Sequence, residues 1–146
     1  MNAKTLLLLL PLVFSICFLS CKNQKKETVV IDTWPDGKPK KTAEYIVDDE
    51  GNKNLYKETL YFKNNQKFIE GTYNEKNEQN GIWISWFENG KKNSQGMYVN
   101  GKVDGKYTVW YPNGNVHYVG YYKNGQKTGK WKFYNESGKL TKENNY

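Results

Sequence analysis

The sequence predicts an all-β protein: an elongated, twisted antiparallel sheet of tandem β-hairpins with a repeat of about 24 residues. Three observations support this prediction. Glycines recur with that spacing at Gly81, Gly105 and Gly129. Apolar and polar residues alternate after each glycine, which is the period of a strand, and no stretch carries a helical apolar stripe of useful length. Asn-Gly pairs, which suit tight hairpin turns, separate the alternating segments.

Every repeat has the same order of elements. A first strand starts at the repeat glycine, a turn such as "ENGK" (residues 88–91) follows, and a second strand and another turn lead to the next repeat. A single hairpin is marginally stable, so we expect neighbouring hairpins to stabilise each other. Aromatic, glycine and tyrosine columns keep fixed offsets: Trp83, Tyr107 and Trp131; Trp86, Trp110 and Tyr134; Gly90, Gly114 and Gly138; Gly96, Gly120 and Asn144; Tyr98, Tyr122 and Tyr146.

The first strands are expected to have one apolar face and one solvent-exposed face, because successive side chains of a strand alternate between faces. We expect the repeat glycines to allow a close approach or a bulge at the corner between hairpins. Positions two and four after each glycine predict a continuous apolar ladder: Trp83, Tyr107, Trp131, Ser85, Val109 and Phe133. The solvent-exposed face is expected to comprise Ile82, Lys106, Lys130, Ile84, Thr108 and Lys132.

Weaker copies of the repeat lie upstream. Residues 60–73 align with residues 85–98 at a shift of 25, with Asn65 in the glycine column. Residues 33–45 align with residues 61–73 at a shift of 28. The sequence therefore predicts roughly four full repeats and a decayed first one, in a domain that covers residues 29–146.

Residues 1–20 have the layout of an export signal, with Lys4 before an apolar run that is too short to span a bilayer. Residues 18–21, "FLSC", resemble the lipobox of bacterial lipoproteins, although Phe18 stands where that family usually has Leu. The resemblance implies lipid attachment at Cys21 and loss of Cys17 with the signal, which leaves no thiol for an internal disulfide. An ordinary secretory signal with an incidental cysteine is the alternative.

Residues 21–28 are polar and charged without hydrophobic periodicity, which predicts a flexible tether. Bacteroidota-type lipoproteins that reach the cell surface resemble one another in acidic residues after the cysteine, whereas this stretch is basic. We therefore expect an exported, membrane-anchored bacterial lipoprotein, in the outer membrane and at its periplasmic face rather than at the cell surface.

The formal net charge of +7 comes from 22 lysines, and the chain has no arginine. Arginine supplies the paired hydrogen bonds that read phosphates and bases, so its absence argues against a nucleic-acid partner. An A/T-rich genome that favours Lys and Asn codons explains the lysines more simply than a dedicated anionic ligand.

Residues 81–105 and 105–129 ("GIWISWFENGKKNSQGMYVNGKVDG" and "GKYTVWYPNGNVHYVGYYKNGQKTG") are similar to the MORN-repeat variant of bacterial proteins, with its Gly-x-Trp step, paired aromatics and Asn-Gly turns. The resemblance extends from about residue 33 to residue 146. It implies an elongated, twisted antiparallel sheet without catalysis, and bacterial relatives often carry an antitoxin label. The chain departs from the pattern at Lys57, Glu58 and Thr59, where a Gly-x-Trp step is expected, and at the insertion 48–54.

Residues for catalysis or metal binding are scarce. His117 is the single histidine, and its repeat mates Asn93 and Thr141 predict a polar, outward-facing position. With one histidine and no spare cysteine, zinc sites and Ser-His or Cys-His catalysis lack components. Residues 48–54, "DDEGNKN", lack the spacing and distal glutamate of a calcium loop. We expect no enzyme activity, no metal and no cofactor.

The aromatic column Trp86, Trp110 and Tyr134 is the candidate binding face. It falls on the strand face opposite the apolar ladder, among lysines and a threonine. Spaced, partly exposed aromatic rings can stack on sugars, quaternary ammonium groups or a partner's apolar side chains. The alternative is that the column packs under the second strands, or against a neighbouring hairpin, as a second small core.

These observations favour a non-catalytic, lipid-anchored binding or scaffolding protein that presents its repeat surface to a protein or an envelope polymer. An antitoxin-like inhibitor of a cognate toxin is one alternative, and a cell-wall or glycan-binding module is another. The latter rests on residues 129–140, which resemble choline-binding repeats, although those repeats are shorter and group their aromatics in one block. Sheet edges can also pair with another chain, so self-association stays open.

Overall fold

The computed structural model describes residues 25–146, which form ten antiparallel strands in a single open sheet. The predicted all-β fold is confirmed. Sheet order follows chain order, so every strand pairs with the next one. The strands are β1 (Lys25–Thr33), β2 (Pro39–Val47), β3 (Lys53–Tyr61), β4 (Lys67–Thr72), β5 (Gly81–Trp86), β6 (Lys92–Val99), β7 (Lys102–Trp110), β8 (Val116–Lys123), β9 (Gln126–Tyr134) and β10 (Leu140–Asn145).

The ten strands form five hairpins, in agreement with four predicted repeats and a decayed first one. β1 begins at Lys25, so the last four residues of the predicted tether belong to the sheet. The predicted export signal and Cys21 lie outside the described residues. Within residues 25–146, no helix is long and apolar enough to cross a membrane.

Turns of two kinds alternate from β5 to β10, whereas the turns that join β2 to β3 and β4 to β5 each have a single left-handed residue, Gly51 and Asn77. Within a hairpin, the Gly90 N–H donates to the Phe87 carbonyl at 2.9 Å, and only Gly90 of the Asn-Gly pair takes a left-handed conformation, with φ 80°. Between hairpins, Asn100 and Gly101 are both left-handed, with φ 48° and 78°, as in a two-residue hairpin turn. The Asn-Gly pairs, predicted to form tight hairpin turns, therefore take positive φ angles at both positions only in the second kind of turn.

In the first kind of turn, the asparagine links neighbouring hairpins instead. The Asn89 Oδ1 accepts from the Lys91 N–H at 3.0 Å, while its Nδ2 donates to the Pro112 carbonyl of the next turn at 3.1 Å. Asn64 and Asn113 make equivalent bonds to the Glu88 and Glu136 carbonyls, at 3.0 and 2.8 Å. One side chain thus closes its own turn and fixes the position of the next one.

The predicted apolar ladder is present, but its rings lie on glycines rather than on one another. We call the face that carries Trp83, Tyr107 and Trp131 the ladder face. Trp83 is 8 % exposed and Trp131 is 1 % exposed. Each ring occupies the space above a glycine in the preceding strand, where a Cβ atom would overlap the ring: Gly71 below Trp83, Gly96 below Tyr107, and Gly120 below Trp131. Only glycine fits at these positions, because the Cβ atom of any other residue would overlap the ring.

Polar and aromatic contacts hold the rings in place. The Trp83 indole N–H donates to the Thr72 carbonyl at 3.0 Å, and the Trp131 indole N–H donates to the Tyr121 carbonyl at 3.2 Å. In both cases the acceptor is the residue after the covered glycine. Edge-to-face tyrosines flank each ladder ring; ring centroids are 5.3 Å apart for Tyr73–Trp83, 5.7 Å for Tyr107–Tyr122 and 5.1 Å for Tyr122–Trp131. At the end of the array Asn144 stands in the column of the covered glycines and pairs with Trp131.

The repeat glycines bulge at the corner between hairpins, as expected. The β6–β7 register shifts between Gly96 and Tyr98, which leaves extra residues of β7 around Gly105 without a facing partner. Gly105 has φ 113° there, in the left-handed region that favours glycine. An equivalent shift lies opposite Gly129 in the β8–β9 pair.

We predict that Gly96→Ala lowers the free energy of unfolding by about 1–3 kcal/mol, because the added methyl group must displace the Tyr107 ring. In a Tyr107→Ala background the same change should cost less than about 0.5 kcal/mol, because the overlap is gone. Urea unfolding of the four proteins of this double-mutant cycle, followed by tryptophan fluorescence, measures both costs. Equal costs in the two backgrounds would contradict the proposed role of the glycine.

Candidate functional site

The candidate binding residues Trp86, Trp110 and Tyr134 occupy equivalent positions at the ends of β5, β7 and β9, on the face opposite the ladder. All three side chains are half-buried. Their partners on the second strands are Lys92, Val116 and Leu140, respectively. The structure therefore places the three rings in one line across the sheet, two strands apart, and neither buries nor fully exposes them.

Tyr61 extends this line toward the N-terminus. It ends β3 and pairs with Lys67, as Trp86 pairs with Lys92. The 25-residue shift between residues 60–73 and 85–98 aligns Tyr61 with Trp86, so the line contains a fourth aromatic residue that the predicted binding face lacks. We call the full line the cross-strand row; it comprises Tyr61, Lys67, Trp86, Lys92, Trp110, Val116, Tyr134 and Leu140.

Lysines of the row reach toward the tryptophan of the next hairpin. The Lys67 Nζ lies 5.6 Å from the Trp86 ring centroid, and the Lys92 Nζ lies 5.9 Å from the Trp110 ring centroid. Both distances are at the outer limit for a cation–π contact. Lys67 also donates to Glu70 Oε2 at 2.7 Å, whereas Lys92 donates to the neutral Gln95 Oε1 at 2.8 Å. Ammonium groups and indole rings therefore alternate along this part of the row.

A bulge in each second strand brings these lysines into the row. The β5–β6 register shifts between Ser85 and Trp86, so Asn93 is the extra residue and Lys92 faces Trp86. The extra residue is Phe68 in β4, His117 in β8 and Thr141 in β10. His117, expected to face outward in mid-strand, is half-buried at the bulge and packs on Tyr111, with ring centroids 4.3 Å apart.

A polar depression of about 180 Å³ lies next to the N-terminal end of the row. Glu70 is held by two lysines, with Lys57 Nζ at 3.0 Å and Lys67 Nζ at 2.7 Å from its Oε2. Burial acts to raise the pKa of Glu70, but the hydrogen bonds from Lys67 and Lys57 outweigh it and hold the pKa below its ordinary value. The depression is lined by Thr28, Thr42, Glu44, Lys57, Thr59, Tyr61, Lys67 and Glu70.

On the ladder face, Glu58 stands where the repeat has an indole, as the departure at residues 57–59 indicated. Its Oε1 lies 2.6 Å from the Lys41 Nζ, and its Oε2 accepts from the Tyr73 hydroxyl at 2.8 Å. Burial and this bond to Glu58 raise the pKa of Tyr73. The second hairpin thus replaces an aromatic packing position by an ion pair and a hydrogen bond.

Charge is distributed unevenly along the array. Residues 25–78 contain ten lysines and eleven acidic residues, whereas residues 79–146 contain ten lysines and four acidic residues. The last three hairpins therefore carry the positive charge of the described chain. Their face opposite the ladder also exposes apolar side chains outside the row, with Ile82 51 %, Met97 43 % and Tyr121 49 % exposed.

Within residues 25–146, no group of three or more His, Cys, Asp or Glu residues could hold a metal ion. What the row offers chemically is aromatic faces and ammonium groups. These groups bind ligands through stacking and charge.

We predict that the folded state loses stability in acid partly through Glu70. Because the folded-state pKa of this carboxyl lies below its unfolded value, its contribution is present above the unfolded pKa and is lost as the pH falls through the folded pKa. Urea unfolding at a series of pH values between 6 and 3 should therefore give a shallower pH dependence for Glu70→Gln than for the parent protein. Glu75→Gln, at an exposed turn position, is the matched control and should leave the dependence unchanged. Identical slopes for Glu70→Gln and the parent would contradict the assignment.

Comparison with known proteins gives one family. Residues 79–100, 103–124 and 127–146 match the family described as MORN repeat variant. These three matches correspond to the last three hairpins, β5 to β10, and include the repeat turns, the ladder rings and three of the row's aromatic residues.

Among solved structures, the chain is similar to the crystal structure of a protein with unknown function from Bacteroides fragilis, at 21 % identity and a TM-score of 0.29. The alignment covers 85 % of this chain and 94 % of that chain. No curated protein matches the chain at a significant level. The last three hairpins are therefore similar to the MORN repeat variant in sequence, and the strand pattern of the whole described chain continues their repeat.

Proposed function

We propose that this chain is a non-catalytic binding protein, held at a bacterial membrane by lipid on Cys21, that presents the cross-strand row to a protein or an envelope polymer. The observation that carries the proposal is the row's regularity. Aromatic residues recur at one position of every hairpin from β3 to β9, and each is half-buried rather than enclosed. Similarity to MORN repeats supports a binding or scaffolding protein in general terms.

The geometry favours an extended partner over a small ligand. Residues 25–146 form one sheet layer, so the row lies on an open face and not in an enclosed pocket. Small-molecule sites are usually concave cavities of about 300–1,000 Å³. A row of similar contacts instead suits a partner that engages several hairpins at once, because linked weak contacts add up to high avidity.

The predicted anchor and tether suit the same role. Lipid on Cys21 would hold the sheet at the membrane surface, and two or more acyl chains anchor a protein stably. The sheet starts at Lys25, four residues after Cys21, so the anchored sheet would stay close to the bilayer. Such a position favours partners of the cell envelope.

We predict that Cys21 carries the lipid. Cells grown with labelled palmitate should incorporate label into the parent protein and into Cys17→Ser, but not into Cys21→Ser, because the thiol of Cys21 is the expected acceptor. Cys21→Ser should also move from the membrane fraction to the soluble fraction. Label retained in Cys21→Ser would contradict the anchor.

We predict that the partner depends on the row. Crosslinking of the membrane-bound protein, followed by mass spectrometry, should yield a reproducible partner that is lost in the double variant Trp86→Ala, Trp110→Ala, because two stacking rings are removed. Tyr121→Ala is the matched control, since Tyr121 is an exposed aromatic on the same face but outside the row. Circular dichroism should show that both variants keep their strand content. A partner that is indifferent to the double change, or lost equally in the control, would contradict the proposal.

A further inference from the structure

We infer that the occupant of the cross-strand row is a linear saccharide polymer with an acidic sugar at every second position. This inference deepens the proposed function and rests on it. Three features of the row carry it: its step, the alternation of its side chains, and the polar depression at its N-terminal end.

The step of the row matches a sugar chain. Adjacent strands lie about 4.8 Å apart, so successive row residues advance by that distance and aromatic residues by about 9.6 Å. One pyranose ring advances a linear 1,4-linked chain by a step close to one strand spacing. Each strand therefore faces one sugar, and each aromatic ring faces every second sugar.

A peptide in the β conformation does not keep this step. A β-strand rises about 3.3 Å per residue, and side chains on one side of it repeat every two residues, at about 6.6 Å. Neither distance matches the aromatic spacing of the row, and every third residue, at about 9.9 Å, falls on alternate sides of such a strand. A polyproline II peptide does repeat every three residues, at about 9.3 Å. An acidic peptide in that conformation is therefore the rival occupant, and polyglutamate is the probe for it. Strands of a sheet are rotated by about 20–25° relative to their neighbours, and rotation about glycosidic bonds lets a sugar chain follow that twist.

From Tyr61 to Trp110, aromatic and lysine side chains alternate along the row, which matches a polymer of alternating neutral and acidic sugars. Tyr61, Trp86 and Trp110 supply ring faces for the C–H faces of sugars, and Lys67 and Lys92 lie between them. Ammonium groups bind carboxylates through charge-assisted hydrogen bonds. A neutral sugar over each ring and a uronate beside each lysine match the five positions, with Lys67 shared between the uronate and Glu70.

Lys92 is the position that most favours an acidic sugar. Its repeat mate Lys67 already donates to the carboxylate of Glu70, whereas Lys92 has the neutral amide of Gln95 in the same place. Residues 79–146, with ten lysines against four acidic residues, add a positive field around it. An anionic group on the ligand would supply the carboxylate that Gln95 lacks.

The polar depression fits the end of such a chain. Its volume of about 180 Å³ suits one sugar ring, and it shares Tyr61 and Lys67 with the row. The hydroxyls of Thr28, Thr42 and Thr59 can donate and accept, and the carboxylate of Glu44 accepts. Groups of this kind satisfy sugar hydroxyls, so the depression continues the row as an end subsite.

The test is isothermal titration calorimetry with the full chain lacking residues 1–20, as the predicted mature protein. The probes are 1,4-linked oligosaccharides of alternating glucuronate and N-acetylglucosamine with two, four and six sugars. We expect affinity to rise with each added disaccharide, because each one reaches another aromatic ring. The neutral hexasaccharide of N-acetylglucosamine should bind at least about tenfold more weakly than the acidic hexasaccharide, because Lys92 then has no anion.

Two variants test the lysine contact and the aromatic contact separately. Lys92→Gln, a surface change that leaves the fold intact, should weaken the acidic hexasaccharide about fivefold or more and leave the neutral one unchanged. Trp110→Ala should weaken both hexasaccharides about tenfold, because a stacking platform is lost. Lys142→Gln and Tyr121→Ala are controls outside the row and should bind like the parent.

Other outcomes would overturn the inference without touching the proposed function. Binding of polyglutamate as tight as that of the acidic hexasaccharide, with the same loss in Lys92→Gln, would assign the row to an acidic protein. No binding of any oligosaccharide would exclude a saccharide, while a crosslinked partner lost in the Trp86, Trp110 double variant would leave the row a protein-binding surface. Equal binding of the acidic and neutral hexasaccharides would contradict the requirement for an acidic sugar at every second position.

Discussion

The fold depends on one packing arrangement, an aromatic ring laid on a glycine of the preceding strand. A single sheet layer has no second layer to bury its apolar side chains, so it must find burial within its own face. Trp131 reaches 1 % exposure because Gly120 leaves the space that its ring occupies. The indole N–H then bonds to the backbone beside that glycine, which fixes the ring and joins consecutive hairpins.

This arrangement also determines the opposite face. Since the ladder rings of β5, β7 and β9 are each fixed to the preceding strand, these three strands have the same orientation, and alternation presents Trp86, Trp110 and Tyr134 on the other side. Asparagine links between turns keep the hairpins at a constant spacing. The regular spacing of the candidate binding residues is therefore a consequence of how the sheet is stabilised.

Sequence reasoning predicted the strands, the turns and the two faces, because glycine spacing and period-two alternation are local signals. It did not assign a role to Gly96 and Gly120, since the need for an absent side chain shows only when the next strand is in place. It also missed Lys67 and Lys92 as row residues. Their position depends on bulges whose extra residues, Phe68, Asn93, His117 and Thr141, share no residue type that a pattern could detect.

Asn144 stands where the other second strands have a covered glycine. An indole laid on this position, as in the earlier hairpins, would meet a side chain that begins with a Cβ atom. A hairpin that pairs with β10 would need another residue in place of the indole, as β3 has Glu58 opposite Ala43. The Asn144 side chain thus restricts which strand edges can pair with β10 and disfavours those that carry the repeat's own indole.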